Sequence, residues 1–297
     1  MDNIHATVNT KDVETWWEAN PFAFGVSNTA RDQVGTIPLE KMDLAYFDTI
    51  ESQFRKLSRG AAQNDGAPLF SNLVDPNSLK GKKVLDIAVG SGFSAVAFVR
   101  AGAEVTGIDL TAFAVQHAKK NLSLRGLPAT IEQMDAQAMT FPDASFDFVN
   151  AWGCLMHMPD TEKAIQEIYR VLKPGGKMLA YMYNKASWPY WFNYFLLRGV
   201  LMGDLIRYRF DMVKVTSRHS DGYSVGGNPL AKFFNPSEVD GMLARAGFSK
   251  HKVEPWRLAY EPDNWPVRRL PLFRYLPAFV KRRMTRYGYG LIVYAEK

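Results

Sequence analysis

Short apolar runs alternate with amphipathic segments between residues 81 and 183, and this alternation constrains the fold more than any other feature of the chain. The runs KKVLDIAV, EVTGID, ATIEQ, FDFVNAW and KMLAYMY are predicted strands, and three of the segments between them have the periodicity of helices. Strands and helices that alternate at short spacing form a parallel sheet with helices on both faces. We therefore predict an α/β, doubly wound sheet that binds its ligand at the carboxyl ends of its strands.

Segments of a different character flank this regular pattern. An amphipathic helix is predicted between Lys41 and Gly60, and residues 64–80 have the Gly, Pro, Asn and Asp content of a connector. We predict a helical cap, or lid, in residues 1–80 and one main domain in residues 81–297.

Two long insertions interrupt the main domain after the fifth and sixth predicted strands, at residues 185–234 and 258–287. Insertions of this length usually serve as lids or binding loops. Between them, NPSEVDGMLARAGF is a predicted helix with Asn235 or Ser237 as its N-cap, followed by the predicted strand KHKVEPW. The last predicted strand is LIVYAEK.

Cysteine content and hydropathy indicate the cellular setting. Cys154 is the only cysteine, so no intrachain disulfide forms, and no Cys-x-x-Cys or His-Glu-x-x-His spacing indicates a metal site. The N-terminus lacks the pattern of a secretory signal. The most apolar stretch, Ser187 to Phe210, is interrupted by Arg198, Asp204 and Arg207, short of the ~20 apolar residues that span a bilayer. We expect a cytoplasmic protein without a metal.

The positive charge is concentrated at the C-terminus. The formal net charge is +6, and the segment from Trp256 to Lys297 carries nine Lys and Arg against three acids. Such a segment could meet an anionic substrate, a membrane surface or nucleic acid, or it could simply be a solvated face. Nucleic acid is not expected as a partner, because no recognised nucleic-acid-binding module is present.

The stretch VLDIAVGSGFSA, residues 84–95, carries the most informative turn. Gly90 and Gly92 follow a predicted strand and open a predicted helix, where a backbone without Cβ approaches a ligand and helix N–H groups point at polar atoms. GSGFSA also satisfies the dinucleotide pattern G-x-G-x-x-G/A, and Asp109 lies near the offset of an acid that holds a ribose. The glycines alone therefore leave an NAD-dependent dehydrogenase open.

Three further features distinguish a dehydrogenase from another class of nucleotide-binding enzyme. Asp86 and Ala88 extend the turn to D-x-A-x-G-x-G, and LKPGG precedes the fifth predicted strand. Asp135 and Ala136 follow the third strand, where a carboxylate can accept a hydrogen bond from an adenine amine. Together these residues resemble the class I S-adenosylmethionine (SAM)-dependent methyltransferases, particularly the small-molecule branch similar to the ubiquinone/menaquinone C-methyltransferases.

The resemblance is close over residues 81–183 and looser over the last two strands. It implies a Rossmann-like, mostly parallel seven-stranded sheet with an antiparallel C-terminal hairpin, SAM as the methyl donor and S-adenosylhomocysteine as the product. Ala88 stands where the family usually has glycine, which implies a slightly different position for the methionine end. The residues implied at the donor are Asp86, Ala88, Gly90, Gly92, Phe93, Asp109, Leu110, Asp135, Ala136 and Trp152.

The resemblance also divides these residues by role. Asp86, Gly90 and Gly92 line the methionine part, Asp109 binds the ribose hydroxyls, and Asp135 with Ala136 binds the adenine. A purely structural interpretation competes with each role, since glycines can be conformational and Asp109 can be a helix N-cap.

The segment NAWGCLMHMPD, residues 150–160, leaves the fourth predicted strand at the ligand-binding edge and contains a candidate catalytic residue. His157 is the candidate general base, because it matches the histidine often found in this loop of the resembled enzymes, and Tyr183 is a second candidate catalytic residue. A histidine that only packs or caps the next helix remains open. Cys154 is interpreted as a packing residue rather than a nucleophile. The loop lacks the Asn/Asp-Pro-Pro-aromatic pattern of enzymes that methylate nucleobase amines.

The acceptor is expected to be a small molecule methylated on an O, N, S or C atom. Arg218 is a candidate clamp for a carboxylate or phosphate, and the N-terminal Trp17 and Phe22 are candidates for a lid. The full set of candidate acceptor contacts is Trp17, Phe22, Tyr181, Asn184, Arg218, His219 and Tyr223.

An alternative keeps the fold but places a lipophilic acceptor at a membrane surface. In it, the aromatic stretch that begins at Trp188 and the basic RRMTR segment form an interfacial anchor. The aromatic stretch is equally consistent with a helix packed on the domain. A nucleic-acid-binding protein that uses the basic segment is a further alternative.

Overall fold

The computed structural model describes residues 8–21, 38–58, 61–62, 66–220, 227–256 and 287–297. The predictions for Phe22, Tyr223 and the RRMTR segment lie outside these residues. The strands are β1 (Lys83–Ile87), β2 (Glu104–Asp109), β3 (Thr130–Gln133), β4 (Phe146–Trp152), β5 (Leu172–Tyr183), β6 (Lys250–Trp256) and β7 (Gly290–Glu296). The α-helices are α1 (Thr10–Ala19), α2 (Leu44–Leu57), α3 (Phe93–Arg100), α4 (Ala112–Leu124), α5 (Thr161–Val171), α6 (Asp204–Arg207), α7 (Met212–His219) and α8 (Pro236–Ala246).

The seven strands of the described chain form one sheet in the order β3-β2-β1-β4-β5-β7-β6. β1 to β5 are parallel, whereas β7 runs antiparallel to both β5 and β6. This arrangement confirms the predicted Rossmann-like, mostly parallel sheet with an antiparallel C-terminal hairpin. The strand order reverses at β1, so a crevice opens beyond the carboxyl ends of β1 and β4, where doubly wound sheets bind ligands.

The core occupies both faces of the sheet. Val84 packs into an apolar cluster on one face and the adjacent Leu85 into a second cluster on the other. This alternation follows from the two-residue period of a strand, and it explains why the neighbouring residues Val84 and Leu85 are both apolar.

The N-terminal helices pack against the sheet domain through their apolar faces. Phe47, Ile50 and Phe54 on α2 are fully buried, as the helical spacing of the sequence predicts. An ion pair between Arg125 and Asp48 adds a polar connection from α4 to α2.

Two segments differ from the simplest interpretation of the sequence. The KPGG segment is a bulge within β5 rather than a turn before it, because the strand pairing jumps from Phe146–Leu172 to Phe148–Lys177. The insertion after β5 is largely helical in its described part, with a π-helix at Tyr190–Leu201 followed by α6 and α7.

Candidate active site

A cavity of about 540 Å³ lies at the carboxyl ends of β1, β2, β4 and β5. Its volume is within the range of about 300–1,000 Å³ that is typical of small-molecule sites. α1 contributes Val13 and Trp17 to its wall, and α2 contributes Phe54. The ends of the strands and the aromatic side chains of α1 and α2 therefore line the same cavity.

The turn after β1 has the backbone geometry of a close ligand approach. Gly90 and Gly92 have positive φ angles of 54° and 78°, and Ala88 has a φ of 57°. A non-glycine residue in this region costs roughly 1–2 kcal/mol, so Ala88 adopts at some expense a conformation that glycine adopts freely. Ala88 is also one of the residues that line the cavity.

Asp109 joins this turn to the start of α4. One carboxylate oxygen accepts a hydrogen bond from the Gly90 N–H at 3.1 Å, and the other accepts from the N–H and hydroxyl of Thr111 at 3.0 and 2.9 Å. Thr111, not Asp109, is the N-cap of α4, so the N-cap interpretation of Asp109 is wrong. Burial raises the pKa of the Asp109 carboxyl. Asp109 also lines the cavity.

Asp86 and Gly92, predicted to line the methionine part of the donor, lie behind the cavity wall rather than on it. The two oxygens of Asp86 accept hydrogen bonds from the Ser94 hydroxyl at 2.5 Å and the Asn150 amide at 2.7 Å. Asp86 thus fixes the first turn of α3 against β4. A Cβ at Gly92 would lie 3.1 Å from the Cα of Ala118, so this glycine also allows α3 and α4 to approach closely.

Burial raises the pKa of the Asp86 carboxyl to about 6. A carboxyl with a raised folded-state pKa stabilises the fold below its unfolded pKa, and this contribution is lost as the pH rises through about 6. Asp86→Asn is therefore expected to have a larger free energy of unfolding than the parent at pH 7, by about 1–3 kcal/mol, and the difference should shrink at pH 4. Urea denaturation at both pH values measures it.

The substitution is compatible with the surroundings of Asp86. The side-chain oxygen of Asn150 is buried without a hydrogen-bond partner in the described structure, so a flipped Asn150 could accept from the new amide. A variant that is less stable than the parent at pH 7 would show that the Asp86 charge stabilises the fold, contrary to this account.

The loop after β3 links three parts of the site through Gln137. The Asp135 carboxylate accepts from the Gln137 N–H at 2.8 Å, and the Gln137 side-chain oxygen accepts from the Asp160 N–H at 2.8 Å. The Gln137 amide also contacts the Thr10 hydroxyl at 3.2 Å, which ties α1 to this loop. Asp135, Ala136 and Gln137 all line the cavity. Gln137 was not predicted, because no sequence pattern marks it.

Aromatic side chains form the wall at β4 and β5. The rings of Trp152 and Tyr181 stack with centroids 5.2 Å apart, and Tyr183 is also on this wall. Gly290 makes this arrangement possible, because a Cβ at that position would overlap the ring of Tyr181. Tyr289 also lines the cavity, although the sequence analysis did not single it out.

His157 lies between Trp17 and Tyr183, with ring centroids 5.4 and 5.6 Å from theirs. Its Nδ1 is 2.7 Å from the Leu230 carbonyl oxygen. The side-chain amide nitrogen of Asn228 lies 3.0 Å from the same Nδ1. The carbonyl can only accept and the amide nitrogen can only donate, so the two contacts favour opposite tautomers. We assign the proton to Nδ1 on the shorter contact, to the carbonyl, which makes Nε2 the basic nitrogen of the neutral ring. The cavity wall thus includes one imidazole held in a defined tautomer.

Cys154 is on the same loop but does not have the properties of a nucleophile. The thiol is buried, with its sulfur 3.8 Å from the Ile87 carbonyl oxygen. Burial raises the pKa of this thiol, and the charges of Asp86 and Asp109 raise it further. The side chain is therefore a protonated packing residue, in agreement with the sequence interpretation.

Three residues predicted to contact the acceptor are not on the cavity wall. The buried Asn184 amide donates to the Gly288 carbonyl oxygen at 2.9 Å and therefore holds the end of β5 against the chain that enters β7. Arg218 is exposed on α7. His219 contacts the Asp204 carboxylate at 2.6 Å. The expectation that Asn184 faces the pocket with the two tyrosines is therefore wrong.

The sequence analysis did not single out two further residues of the cavity wall, Ser91 and His117. The Ser91 hydroxyl and His117 Nε2 are buried, with no hydrogen-bond partner within the described structure, and neither atom is open to the cavity. The His117 ring packs against Phe47 and Phe113. Burial lowers the pKa of His117 to about 4, so its ring is neutral at pH 7.

Two features are absent from the described residues. No group of three or more His, Cys, Asp or Glu side chains there could hold a metal ion. No helix in those same ranges is both long and apolar enough to cross a membrane.

The sheet order and the glycine turn define a Rossmann-like α/β protein with a site for a nucleotide-like ligand. A family of proteins described as "Methyltransferase domain" matches residues 85–180. A demethylmenaquinone methyltransferase from Streptomyces avermitilis is 31% identical over 170 residues, which cover 57% of this chain and 69% of the relative. A ubiquinone biosynthesis O-methyltransferase from Pseudomonas entomophila is 35% identical over 200 residues, covering 66% and 75%.

The chain belongs to the SAM-dependent methyltransferases, and the dehydrogenase interpretation of GSGFSA is not retained. The crystal structure of a SAM-dependent methyltransferase from Mesorhizobium loti has a TM-score of 0.52 at 17% identity, covering 78% of this chain and 99% of that one. At this identity the similarity shows the fold alone.

Proposed function

We propose that the chain transfers a methyl group from SAM to a small, flat, lipophilic acceptor that carries a ring hydroxyl. The observation that carries this proposal is the division of the cavity into two halves. One half presents carboxylates and a glycine turn, and the other presents aromatic rings around one histidine. A polar donor and a flat acceptor fit these halves.

The donor half has the groups that SAM requires. Asp109 would bind the ribose hydroxyls, and Asp135 with the Ala136 N–H would bind the adenine, because a carboxylate accepts from hydroxyls and amines and an N–H donates to a ring nitrogen. SAM supplies a methyl group on a positively charged sulfur, and the aromatic faces of Trp152 and Tyr181 would stabilise that charge.

The acceptor half consists mainly of aromatic rings. Trp17, Tyr183 and Tyr289 present surfaces against which a flat ring can pack while water is excluded. The names of the two relatives, which concern menaquinone and ubiquinone, support a quinone-type or phenol-type ring here.

His157 would activate this acceptor. Its Nε2 would take the proton of the ring hydroxyl, and an electron pair of the resulting oxygen anion would bond to the methyl carbon as the carbon–sulfur bond breaks. If the ring carbon beside that oxygen is methylated instead, this carbon must afterwards lose its own proton to solvent, which restores the aromatic ring. The Leu230 carbonyl stabilises the tautomer in which Nε2 is the base. Alignment of the methyl group with the acceptor atom, with water excluded by the bound reactants, would contribute the remaining acceleration.

The test uses SAM with a deuterated methyl group and a panel of demethylated quinols and catechols. The proposal predicts a product whose mass increases by one labelled methyl. Amine or carboxylate acceptors should be unreactive, and turnover of these alone would contradict the proposal. A cytoplasmic location and independence from metal ions stay predictions.

His157→Gln is expected to reduce kcat by about 10²–10⁴, because general-base catalysis contributes a factor of that size. SAM affinity should be unchanged, since His157 is on the acceptor half. An unchanged kcat in the variant would assign His157 a packing role.

A further inference from the structure

Exposed apolar side chains are concentrated in one part of the molecule. Nine of the eleven large apolar side chains that are exposed in the described structure lie between residues 188 and 213. Ile206, Phe210 and Leu201 are 77%, 74% and 69% exposed. Contiguous exposed apolar surface on a folded protein usually marks an interaction site. We name these side chains, together with the helices that carry them, the insertion surface.

The exposed Phe210 side chain lies in a turn with an unusual backbone conformation. Arg209 and Phe210 both have positive φ angles, 54° and 64°, although neither is glycine. The turn is closed by a hydrogen bond from the Phe210 N–H to the Leu205 carbonyl oxygen at 2.6 Å. Strain of this kind persists where the surrounding structure enforces it, and it often occurs at functional sites.

The insertion surface carries a net positive charge. Residues 187–220 contain five Lys and Arg against two acids, Asp204 and Asp211. Asp204 is buried and contacts His219, and Asp211 caps α7 by accepting from the Val213 and Lys214 N–H groups. The exposed charges therefore include Arg207, Arg209 and Arg218.

The π-helix that carries part of the insertion surface also contacts a residue of the cavity wall. On its inner side, Tyr190 and Tyr194 are buried against Phe233. The Tyr194 hydroxyl is 3.3 Å from that of Tyr289, which lines the cavity. The same element thus contacts the active site on one side and the surroundings on the other.

We propose that the insertion surface binds the face of an anionic lipid membrane. Interfacial elements combine exposed Trp, Phe and aliphatic side chains with cationic ones, as this surface does. A second copy of the chain is a poorer occupant, because it would bring a positive surface against an equal positive surface. This inference goes beyond methyl transfer, and only its link to a lipophilic acceptor rests on the proposed function.

The test is co-sedimentation of the full chain with vesicles of phosphatidylcholine, with and without phosphatidylglycerol, in the absence of SAM and acceptor. We expect binding to the anionic vesicles at low salt and a marked loss at high salt, because salt screens surface charge. Because no methyl transfer is measured, failure here and failure of the proposed function are distinguishable.

Two pairs of substitutions separate the apolar and the charged contributions. Ile206→Ser with Phe210→Ser, and separately Arg207→Gln with Arg209→Gln, should each weaken vesicle binding about tenfold or more. Leu44→Ser on α2 and Lys119→Gln on α4 are the matched controls, since both residues are exposed elsewhere. SAM affinity and circular dichroism should be unchanged in every variant.

Three outcomes would overturn the proposal. The first is a parent protein that does not bind anionic vesicles at low salt. The second is equal binding by the surface variants and their controls. The third is a dimer in analytical ultracentrifugation that Ile206→Ser with Phe210→Ser converts to monomer, without vesicle binding by the parent; this would assign the surface to a second copy.

Discussion

Asp109→Ala is expected to weaken SAM binding by about a hundredfold or more. On the proposal that Asp109 binds both ribose hydroxyls, the substitution removes the acceptor of two hydrogen bonds, and hydrogen bonds to charged groups contribute about 1.5–3 kcal/mol each. It also releases the Gly90 N–H, which Asp109 holds at 3.1 Å, so the glycine turn loses part of its fixed conformation. Isothermal titration calorimetry with SAM measures the change.

The matched control is Glu104→Gln, which alters an exposed acid at the opposite end of β2. It should leave SAM affinity within about twofold, since surface changes usually have small effects. The melting temperature of Asp109→Ala should not fall far, because burial raises the pKa of this carboxyl and its charge is costly to the fold. Equal SAM affinity in the parent and in Asp109→Ala would show that Asp109 does not bind SAM.

Gly290→Ala is expected to destabilise the fold by about 1–3 kcal/mol, the usual cost of overpacking a core. The added Cβ would overlap the Tyr181 ring, so that ring must move away from β7 and disturb its stacking with Trp152 on the cavity wall. Methyl transfer should therefore fall together with stability. Urea denaturation and the labelled-methyl assay measure the two effects.

A double-mutant cycle tests whether the clash with the Tyr181 ring causes the destabilisation by Gly290→Ala. In a Tyr181→Ala background the ring is absent, so Gly290→Ala should cost little additional stability. Gly241→Ala is the control, because a Cβ there meets only the far end of Arg245 within α8. Additive effects of Gly290→Ala and Tyr181→Ala would show that the glycine is required for some other reason.

The sequence predicts the sheet and the donor half of the site because local patterns determine both. The bounds of β2, β4 and β6 match the predicted runs, since apolar residues and turn residues mark their ends. Ala88, Gly90, Asp109 and Asp135 reach the cavity because a parallel sheet brings the ends of its strands to one edge.

The acceptor half is less predictable, because it depends on contacts between distant segments. Asn184 directly follows the cavity residue Tyr183 in the sequence. Its side-chain amide nevertheless donates a hydrogen bond to the carbonyl oxygen of Gly288, more than a hundred residues away. Gln137 joins α1 to the loops after β3 and before α5, and no pattern in its neighbours indicates that role. Such contacts are set by tertiary packing rather than by periodicity or spacing.

The central claim is that the glycine turn and the strand-end carboxylates bind SAM. Calorimetric titration of the purified chain with SAM, S-adenosylhomocysteine and NAD in parallel tests it most directly. The account predicts binding of the first two and none of NAD. Binding of NAD alone would contradict it and would make VLDIAVGSGFSA a dinucleotide-binding turn.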